Sequence, residues 1–362
     1  MSLIDKIKKQ SNVKESAVLE KSKFFDDLEF VSTSVPAFNV ALSGALDGGF
    51  TGGTITLSGA SRSFKSSFAL LMAKSYLDKY PDAALLFLDS EFGSPISMWK
   101  SFGIDMSRVL HVPVTTIEEL KYEVVNQLNA IERGEKLFML VDSIGNLPSE
   151  KEAQNAEDSK NTVDLTRNRE LKSFFRLTTT KLAMKDIPMV VISHSYKTLE
   201  MFSKDVVSVG TGGYYASNIM IIVTRSQEKD GTDLIGYNFN LNVEKSRFVK
   251  EKSKISVFVS FEDGISKWSG LMDLALESGH CVKPKNGWYA KVDVESGEVF
   301  EKNYRLKDTN NKEFWNDILE SNSFKEFIIK KYQLASGKML NDESTVESLD
   351  DEDIEKTFSE EE

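Results

Sequence analysis

The feature that most constrains the fold of this 362-residue chain is the stretch TITLSGASRSFKSSF, residues 54–68. It starts with a β-branched segment, passes through a loop of small residues, and enters an apolar run that is typical of a helix. A strand, a small-residue loop, Lys-Ser and a helix form the setting of a phosphate-binding loop, because the loop amides and the helix N-terminus direct N–H dipoles at one point. The stretch therefore predicts an anion site at this loop.

The loop departs from the pattern G-x-x-x-x-G-K-[ST] at one position, because Phe64 stands where the second glycine is expected. Lys65 would reach the β- and γ-phosphates of ATP, and the Ser66 hydroxyl would help to hold Mg²⁺. From this stretch alone, a serine-rich turn with an isolated lysine remains an alternative. The predicted nucleotide contacts in the loop are Gly59, Ala60, Ser61, Arg62, Ser63, Phe64, Lys65, Ser66 and Ser67.

Four further apolar runs predict strands that are buried on both faces of a sheet. They are short and continuous, and helical segments at 68–78, 117–132 and 164–185 lie between most of them. This alternation indicates an α/β fold with a mostly parallel central sheet, in which ligands bind beyond the carboxyl ends of the strands. The runs are residues 83–88, 137–141, 189–192 and 219–223.

Polar residues follow three of these strands, where a ligand would bind. Asp142 is placed as a Mg²⁺-supporting carboxylate, although Asp-Ser is also a common helix cap. Glu91 could align a water or accept its proton, or it could be a solvated loop residue. His194 could contact the γ-phosphate, although an isolated histidine is more often structural. Together with the loop, these positions predict an ATPase.

The net charge of the chain does not exclude a nucleic-acid partner. The chain has a net charge of −11, but residues 341–362 contain eleven acidic residues and one lysine, so the rest is nearly neutral. A single cysteine excludes an internal disulfide and a cysteine-based metal site, and three distant histidines argue against zinc. No apolar run approaches the roughly 20 residues of a membrane helix, and the N-terminus lacks a signal-peptide core. We therefore expect a cytoplasmic protein with no membrane partner.

The pattern predicts four parts. Residues 1–24 would form a short amphipathic helix or a frayed terminus, 25–263 an ATPase core, 264–340 a small α+β appendage, and 341–362 a disordered acidic tail. Alternating apolar positions beyond Asn238 predict antiparallel strands at the sheet edge. Two polar segments, 147–163 and 195–213, are expected to be long loops at the ligand-binding end of the sheet.

In chain order, the motifs GASRSFKS, FLDSEFG, LVDSIGN, ISHSY, EMFSK, TGGYYAS, VEKSR and KPKNGWYA resemble those of RecA-family recombinases. The likeness covers about residues 25–335 and is closest to the UvsX-type recombinases of T-even phages, which also carry Phe in the loop and His after the fourth strand. It implies a RecA-like ATPase core, and residues 1–24 would serve in polymerisation. The protein would form helical filaments on single-stranded DNA, pair it with a homologous duplex and exchange strands, in the cytoplasm of a bacterial host.

The same resemblance implies roles for individual residues. Glu91 would be the catalytic glutamate and His194 the γ-phosphate sensor, with ATP and Mg²⁺ bound between protomers. Lys245 and Arg247 would reach the neighbour's phosphates, although they could also be surface cations on an edge strand. Met98 lies near the expected adenine site. A single-stranded-DNA-binding protein and a recombination mediator would be partners. The implied DNA contacts are Arg169, Arg176, Lys197, Met201, Phe202, Lys204, Gly212 and Gly213.

Two other functions remain open from the sequence. A RecA-fold ring helicase would form closed hexamers and unwind DNA directionally. A filament module without significant catalysis would use ATP only as a ligand that controls assembly on DNA. The acidic tail could compete for the DNA site or dock a basic partner, or it could serve only for solubility.

Overall fold

A computed structural model describes residues 2–24, 29–158, 165–197 and 205–334. The predicted DNA contacts Met201, Phe202 and Lys204 lie outside these residues, as do the acidic tail and residues 159–163 of the first polar segment. Among the described residues, no helix is both long and apolar enough to cross a membrane.

A ten-stranded sheet forms the centre of the described fold. Its main path runs β10-β9-β8-β7-β1-β5-β4-β2-β3, with β6 paired to β5. Pairing is parallel from β7 through β1, β5, β4 and β2 to β3, and antiparallel between β7 and β10, which confirms the predicted mostly parallel sheet and its antiparallel edge. The strands are β1 (Gly53–Gly59), β2 (Ala84–Asp89), β3 (Val109–Pro113), β4 (Leu137–Asp142), β5 (Pro188–Lys197), β6 (Asp205–Val207), β7 (Ser217–Asp230), β8 (Asp233–Ser246), β9 (Lys254–Ser260) and β10 (Gly264–Ile265).

Side chains from β2, β4, β5 and β7 enter two hydrophobic cores, one on each face of the sheet. On β4, Phe138 and Leu140 belong to one core, whereas Met139 and Val141 belong to the other. Successive residues of a strand point to opposite faces, so a strand covered on both sides must be apolar throughout. This is why the predicted strands read as continuous apolar runs.

Helices confirm the predicted segments and also occur where the sequence reading expected none. The first polar segment was expected to lack structure, but α6 occupies part of it because Ser149 Oγ accepts a hydrogen bond from Glu152 N (3.0 Å) and acidic residues lie in its first turn. The helices are α1 (Leu3–Gln10), α2 (Pro36–Ser43), α3 (Lys65–Lys79), α4 (Ile96–Ser101), α5 (Ile117–Ala130), α6 (Glu150–Glu157), α7 (Thr166–Lys185), α8 (Gly210–Ala216), α9 (Leu271–Glu277), α10 (Lys312–Glu320) and α11 (Asn322–Tyr332).

The second polar segment is also more ordered than expected at its two ends. Strand β5 continues to Lys197, β6 pairs with it, and α8 begins at Gly210. The expectation of one long loop over 195–213 is therefore wrong for these ends, because β5 pairs with β6 and α8 packs on α7.

The first and last described parts match their predicted character. Helix α1 is amphipathic, is capped by Ser2 and Asp5, and leaves its apolar residues exposed. The C-terminal part is α+β, with α9 to α11 and an antiparallel sheet of β11 (Cys281–Lys285), β12 (Trp288–Val292) and β13 (Val299–Tyr304). It returns to the core after α11, where Lys250 N donates to Tyr332 O (2.7 Å). The four domain boundaries stay a prediction.

Candidate functional site

The phosphate-binding loop joins β1 to α3 at the carboxyl end of the sheet. Lys65, the first residue of α3, is only 6% exposed, and its Nζ donates to the carbonyls of Gly59 (3.1 Å) and Ala60 (2.8 Å) and to Ser63 Oγ (3.3 Å). Burial lowers the pKa of Lys65, while the carboxylates of Asp142 and Glu91 oppose this shift. The ammonium therefore lies inside the loop, where it can neutralise phosphate oxygens.

Phe64, which departs from the expected loop pattern, attaches this loop to the sheet. Its backbone is left-handed (φ 66°), as a glycine would allow, and its ring stacks on Phe239 of β8 with a centroid separation of 4.9 Å. The edge of Phe68 also contacts the ring, at 5.5 Å. The ring therefore packs against the antiparallel part of the sheet, at β8.

Arg225 is a loop-supporting residue that sequence reasoning missed. From β7, its Nη1 donates to the carbonyl of Arg62 (3.0 Å), and its guanidinium lies over the ring of Tyr237 at 4.6 Å. Arg62 itself has a left-handed backbone (φ 60°). Arg225 therefore stabilises the turn of the loop from a strand far away in sequence.

Ser66 and Asp142 form the predicted magnesium pair. Ser66 Oγ donates to Asp142 Oδ2 over 2.7 Å, and Asp142 is 5% exposed at the end of β4. Burial raises the pKa of Asp142 to about 6; the hydrogen bond from Ser66 opposes this shift, whereas the charges of Glu91 and Asp89 add to it. A hydroxyl and a buried carboxylate in need of a cation fit Mg²⁺, which typically takes one or two protein oxygens beside substrate phosphates.

Glu91 is oriented by three donors that converge on one carboxylate oxygen. Its Oε1 accepts hydrogen bonds from Ser143 Oγ and from Asn146 Nδ2 (3.0 Å), and it lies 2.8 Å from His194 Nε2. Burial raises the pKa of Glu91, but the hydrogen bonds from Ser143 and His194 together with the charges of His194 and Lys65 outweigh it, so the net pKa is lowered. The carboxylate is therefore ionised and held in one orientation, as a residue that aligns water requires.

Asp89 shapes the turn that carries Glu91. Its Oδ1 accepts hydrogen bonds from the backbone N–H groups of Glu91 (3.1 Å) and Phe92 (2.8 Å), and its Oδ2 lies 3.2 Å from His111 Nε2. Asp89 occupies the last position of β2, opposite Asp142 of β4. The sequence reading gave Asp89 no role, although an acidic residue that ends a strand and precedes a turn is a usable signal.

His194 links the carboxylate of Glu91 to the chain that enters α8. Its backbone N–H donates to Ser208 Oγ (3.1 Å), and Ser208 N donates back to His194 O (2.9 Å). Gly145 leaves room for the imidazole, because a Cβ there would lie 2.6 Å from His194 Cδ2. The predicted sensor is therefore bonded to Glu91 through its ring and to the second polar segment through its backbone.

Helices α7 and α8 form the predicted DNA-facing surface. Arg169 and Arg176 are exposed, and their spacing places them on one face of α7 with Lys172 between them, a residue that the sequence reading missed. Gly212 and Gly213, expected in a loop, instead lie in α8, where added Cβ atoms would come within 2.9 Å of Lys172 Cα and 2.7 Å of Phe175 Cε2. Their small size allows α8 to pack on α7. Lys197 ends β5.

Lys245 and Arg247 lie at the end of β8. Lys245 Nζ donates to the carbonyls of Tyr214 (2.8 Å) and Tyr215 (3.0 Å) in the last turn of α8, where a cation is favourable. Burial, and then the charge of Arg247, lowers the pKa of Lys245. Arg247 is exposed. Within one protomer Lys245 thus connects β8 to α8, and the contact of Lys245 and Arg247 with a neighbour's phosphates stays a prediction.

The expected adenine neighbourhood lies at α4. Trp99 is 5% exposed, its Nε1 donates to Ser94 O (3.2 Å), and its ring packs on Phe87. It therefore belongs to the core and is not available to stack on a base. Met98, on the same helix, is half-buried and remains the candidate for this contact.

The chain is similar to several known proteins. The chain is similar to the "Recombination and repair protein" of Enterobacteria phage T4, with 48% identity over 332 residues, which is 91% of this chain and 85% of that protein. It is 25% identical to "Protein RecA" of Corynebacterium urealyticum over 336 residues, 89% of this chain and 87% of that protein. With "Protein RecA" of Corynebacterium glutamicum it shares 36% identity over 138 residues, 36% of this chain and 35% of that protein. The family model described as "Bacteriophage T4, Recombination and repair protein, C-terminal domain" matches residues 268–328.

Proposed function

This chain belongs to the family of the phage T4 recombination and repair protein, among the RecA-like recombinases, and on that premise we propose that it is an ATP-dependent DNA recombinase. It assembles as a helical filament on single-stranded DNA. It pairs that strand with a homologous duplex and exchanges the strands, in recombination, repair and recombination-dependent replication. A single-stranded-DNA-binding protein and a recombination mediator are its proposed partners.

The observation that carries this proposal is the group of polar side chains at the carboxyl ends of four adjacent strands. The phosphate loop follows β1, Glu91 follows β2, Asp142 ends β4, and His194 occupies the last position of the parallel pairing of β5 with β1, opposite Gly59. Because these strands are neighbours in the order β1-β5-β4-β2, one ligand can contact all four groups. The group therefore supports ATP binding and hydrolysis at this end of the sheet.

The residues divide the work of hydrolysis. The loop amides and Lys65 hold the phosphates, and Ser66 and Asp142 hold Mg²⁺, which neutralises charge on the transferring phosphoryl group. Glu91, ionised and fixed through Oε1, aligns the attacking water and accepts its proton. His194 contacts the γ-phosphate end of the nucleotide. Because its backbone N–H is bonded to Ser208, a shift of His194 moves Ser208 and the chain that enters α8.

A neighbouring protomer completes this site. Lys245 and Arg247 contact the phosphates of the next protomer, and a cation supplied in this way stabilises the charge that develops during hydrolysis. Hydrolysis then depends on assembly. Helix α1, with Leu3, Ile4 and Ile7 exposed, packs on a neighbouring protomer and helps the filament to form.

The test combines ATP hydrolysis and electron microscopy of the full chain with Mg²⁺ and single-stranded DNA. We expect DNA-stimulated ATP hydrolysis and continuous helical filaments. Glu91→Gln should keep filaments but reduce turnover by about a hundredfold or more, since it removes the group that accepts the proton. Closed hexamers would support a ring helicase, and filaments with equal, negligible hydrolysis by the wild type and Glu91→Gln would support a non-catalytic module.

A further inference from the structure

We propose that Arg167 and Asn146 form a positioning pair through which DNA bound along α7 aligns the catalytic carboxylate of Glu91. The inference rests on the proposed function and adds a physical route by which single-stranded DNA stimulates hydrolysis. Arg167 lies outside the motifs that identify the phosphate loop, the magnesium pair and the sensor, and Asn146 is the last residue of the motif LVDSIGN that contains Asp142.

Arg167 lies in the first turn of α7 and holds the turn that follows Asp142. Its Nε donates to Leu147 O (2.7 Å), and its Nη2 donates to Ile144 O (3.0 Å) and Gly145 O (3.0 Å). The three carbonyls lie on both sides of Asn146 in sequence. One half-buried guanidinium therefore fixes the backbone before and after this residue.

Asn146 extends from this turn to Glu91. Its Nδ2 donates to Glu91 Oε1 over 3.0 Å, although the Asn146 side chain is exposed. The ends of the turn are attached to the core, because Ile144 N donates to Ile192 O (3.0 Å) and Pro148 O accepts from Ile117 N (2.9 Å). The bonds from Arg167 attach the middle of the turn to α7, so a movement of α7 is transmitted to Asn146.

The orientation of Glu91 depends on this contact. Asn146 is one of three groups on Oε1, with Ser143 and His194, and no hydrogen bond to Oε2 is found among the described residues. Three partners on one oxygen fix the carboxylate plane and leave the other oxygen for the attacking water. Loss of one donor allows the carboxylate to rotate.

Helix α7 connects this contact to the DNA-facing surface. Arg169 is two residues from Arg167, and its side chain is 74% exposed, whereas Arg167 is directed at the catalytic turn. Two residues along a helix place side chains on different sides of it. Phosphates that bind Arg169 and Arg176 would therefore shift the same rigid helix that carries Arg167 on its other side.

The experiment measures DNA-stimulated ATP hydrolysis by the full chain with Arg167→Gln, Asn146→Ala and both changes together. For each single variant, we expect the DNA-stimulated kcat to fall about tenfold, with the KM for ATP and the Kd for single-stranded DNA within about twofold of wild type. The DNA-stimulated kcat of the double variant should fall no further than that of either single variant, because both residues act in one chain of contacts. Arg167→Lys, which cannot bond all three carbonyls, should recover only part of the rate.

Arg108→Gln is the matched control. Arg108 is also half-buried and also bonds three carbonyls, those of Leu77 (3.0 Å), Tyr80 (2.6 Å) and Ala83 (2.7 and 2.9 Å), away from the catalytic residues. It should lower the melting temperature as Arg167→Gln does, yet keep DNA stimulation. An equal loss of stimulation in Arg108→Gln would overturn the proposal, because it would show general destabilisation.

Other outcomes separate this inference from the proposed function. If wild type is stimulated by DNA and the Arg167 and Asn146 variants are stimulated equally, the pair has no positioning role and only the inference fails. If wild type shows no stimulation, the proposed function fails and the inference with it. Should Arg167→Gln not fold, Asn146→Ala decides the question, since this side chain lies on an exposed turn.

Discussion

Phe64 meets two demands that usually fall on different residues. Its position requires a left-handed backbone (φ 66°), which favours glycine, while its ring packs on Phe239 and Phe68. The aromatic contacts compensate for the backbone strain. The phosphate loop is therefore attached to the antiparallel edge of the sheet by a side chain that most such loops lack.

The first prediction concerns the balance between these two demands. Phe64→Ala should lower the free energy of unfolding by about 2 kcal/mol, because it loses the ring contacts and keeps the strain. Phe64→Gly should lower the free energy of unfolding by about 1 kcal/mol less than Phe64→Ala does, because glycine adopts the left-handed backbone without strain. Urea unfolding followed by circular dichroism measures both values. At the exposed Asp78 of α3 the Ala variant should be more stable than the Gly variant, the reverse of the order at Phe64. An Ala variant that is more stable than the Gly variant at Phe64 as well would disprove the explanation.

The second prediction concerns Gly145. In Gly145→Ala, the new Cβ would lie 2.6 Å from His194 Cδ2, so the imidazole must move away from Glu91. We expect a DNA-stimulated kcat about tenfold lower, with little change in the KM for ATP, because a catalytic group is displaced while the phosphate loop is intact. Gly93→Ala is the control, since a Cβ there meets no atom within 4 Å. Equal rates for the two variants would contradict the predicted role of His194.

At the scale of elements, the ends of helices and strands are joined by buried polar side chains. His280 lies between α9 and β11, with Nδ1 2.9 Å from Ser278 Oγ and Nε2 2.9 Å from Ser323 Oγ in the first turn of α11. Its ring also meets Phe324 at 5.1 Å. One imidazole therefore connects both sides of the C-terminal α+β part.

The third prediction follows from the burial of His280. Burial lowers the pKa of His280, with an opposing hydrogen bond at Ser278, so the unfolded chain takes up a proton at a higher pH than the folded protein does. The contribution of His280 to stability is therefore complete above its unfolded pKa of about 6.5 and is lost as the pH falls below it. Melting temperatures measured from about pH 8 to about pH 5.5 should fall less steeply for His280→Gln than for wild type. If the melting temperatures of wild type and His280→Gln fall equally with pH, His280 does not contribute to the pH dependence of stability.

At the scale of the whole molecule, the proposed active site needs two protomers. Glu91 and the phosphate loop belong to one chain, and Arg247 would come from the next. Arg247 is the better residue to test, because Lys245 also bonds α8 of its own chain and its loss would disturb that helix.

The fourth prediction tests this composite site by mixing two inactive variants. Chains with Glu91→Gln and chains with Arg247→Ala should each have low DNA-stimulated turnover when assembled alone. In an equal mixture, about a quarter of the head-to-tail interfaces would join an intact Glu91 to an intact Arg247, so turnover should exceed the mean of the separate variants. A rate equal to that mean would show that the site does not need Arg247 of a neighbour.

Much of the fold could be predicted because its signals are local. Continuous apolar runs identified the central strands, and parallel pairing placed the residues after them at one edge. Helix α6 was missed because its sequence is polar, and its start depends on a cap at Ser149 that composition does not reveal. Lys172 was missed as well, because the sequence does not show that α8 packs beside it.

By itself, the sequence determined the α/β class, the phosphate loop and the polar residues that surround it, because periodicity and strand ends depend on neighbours along the chain. Only the tertiary structure decided which side chains meet. Arg225 lies 163 positions from Arg62, and Glu91 lies 55 from Asn146 and 103 from His194. These contacts follow from the order β7-β1-β5-β4-β2 of strands in space, which differs from their order in the chain.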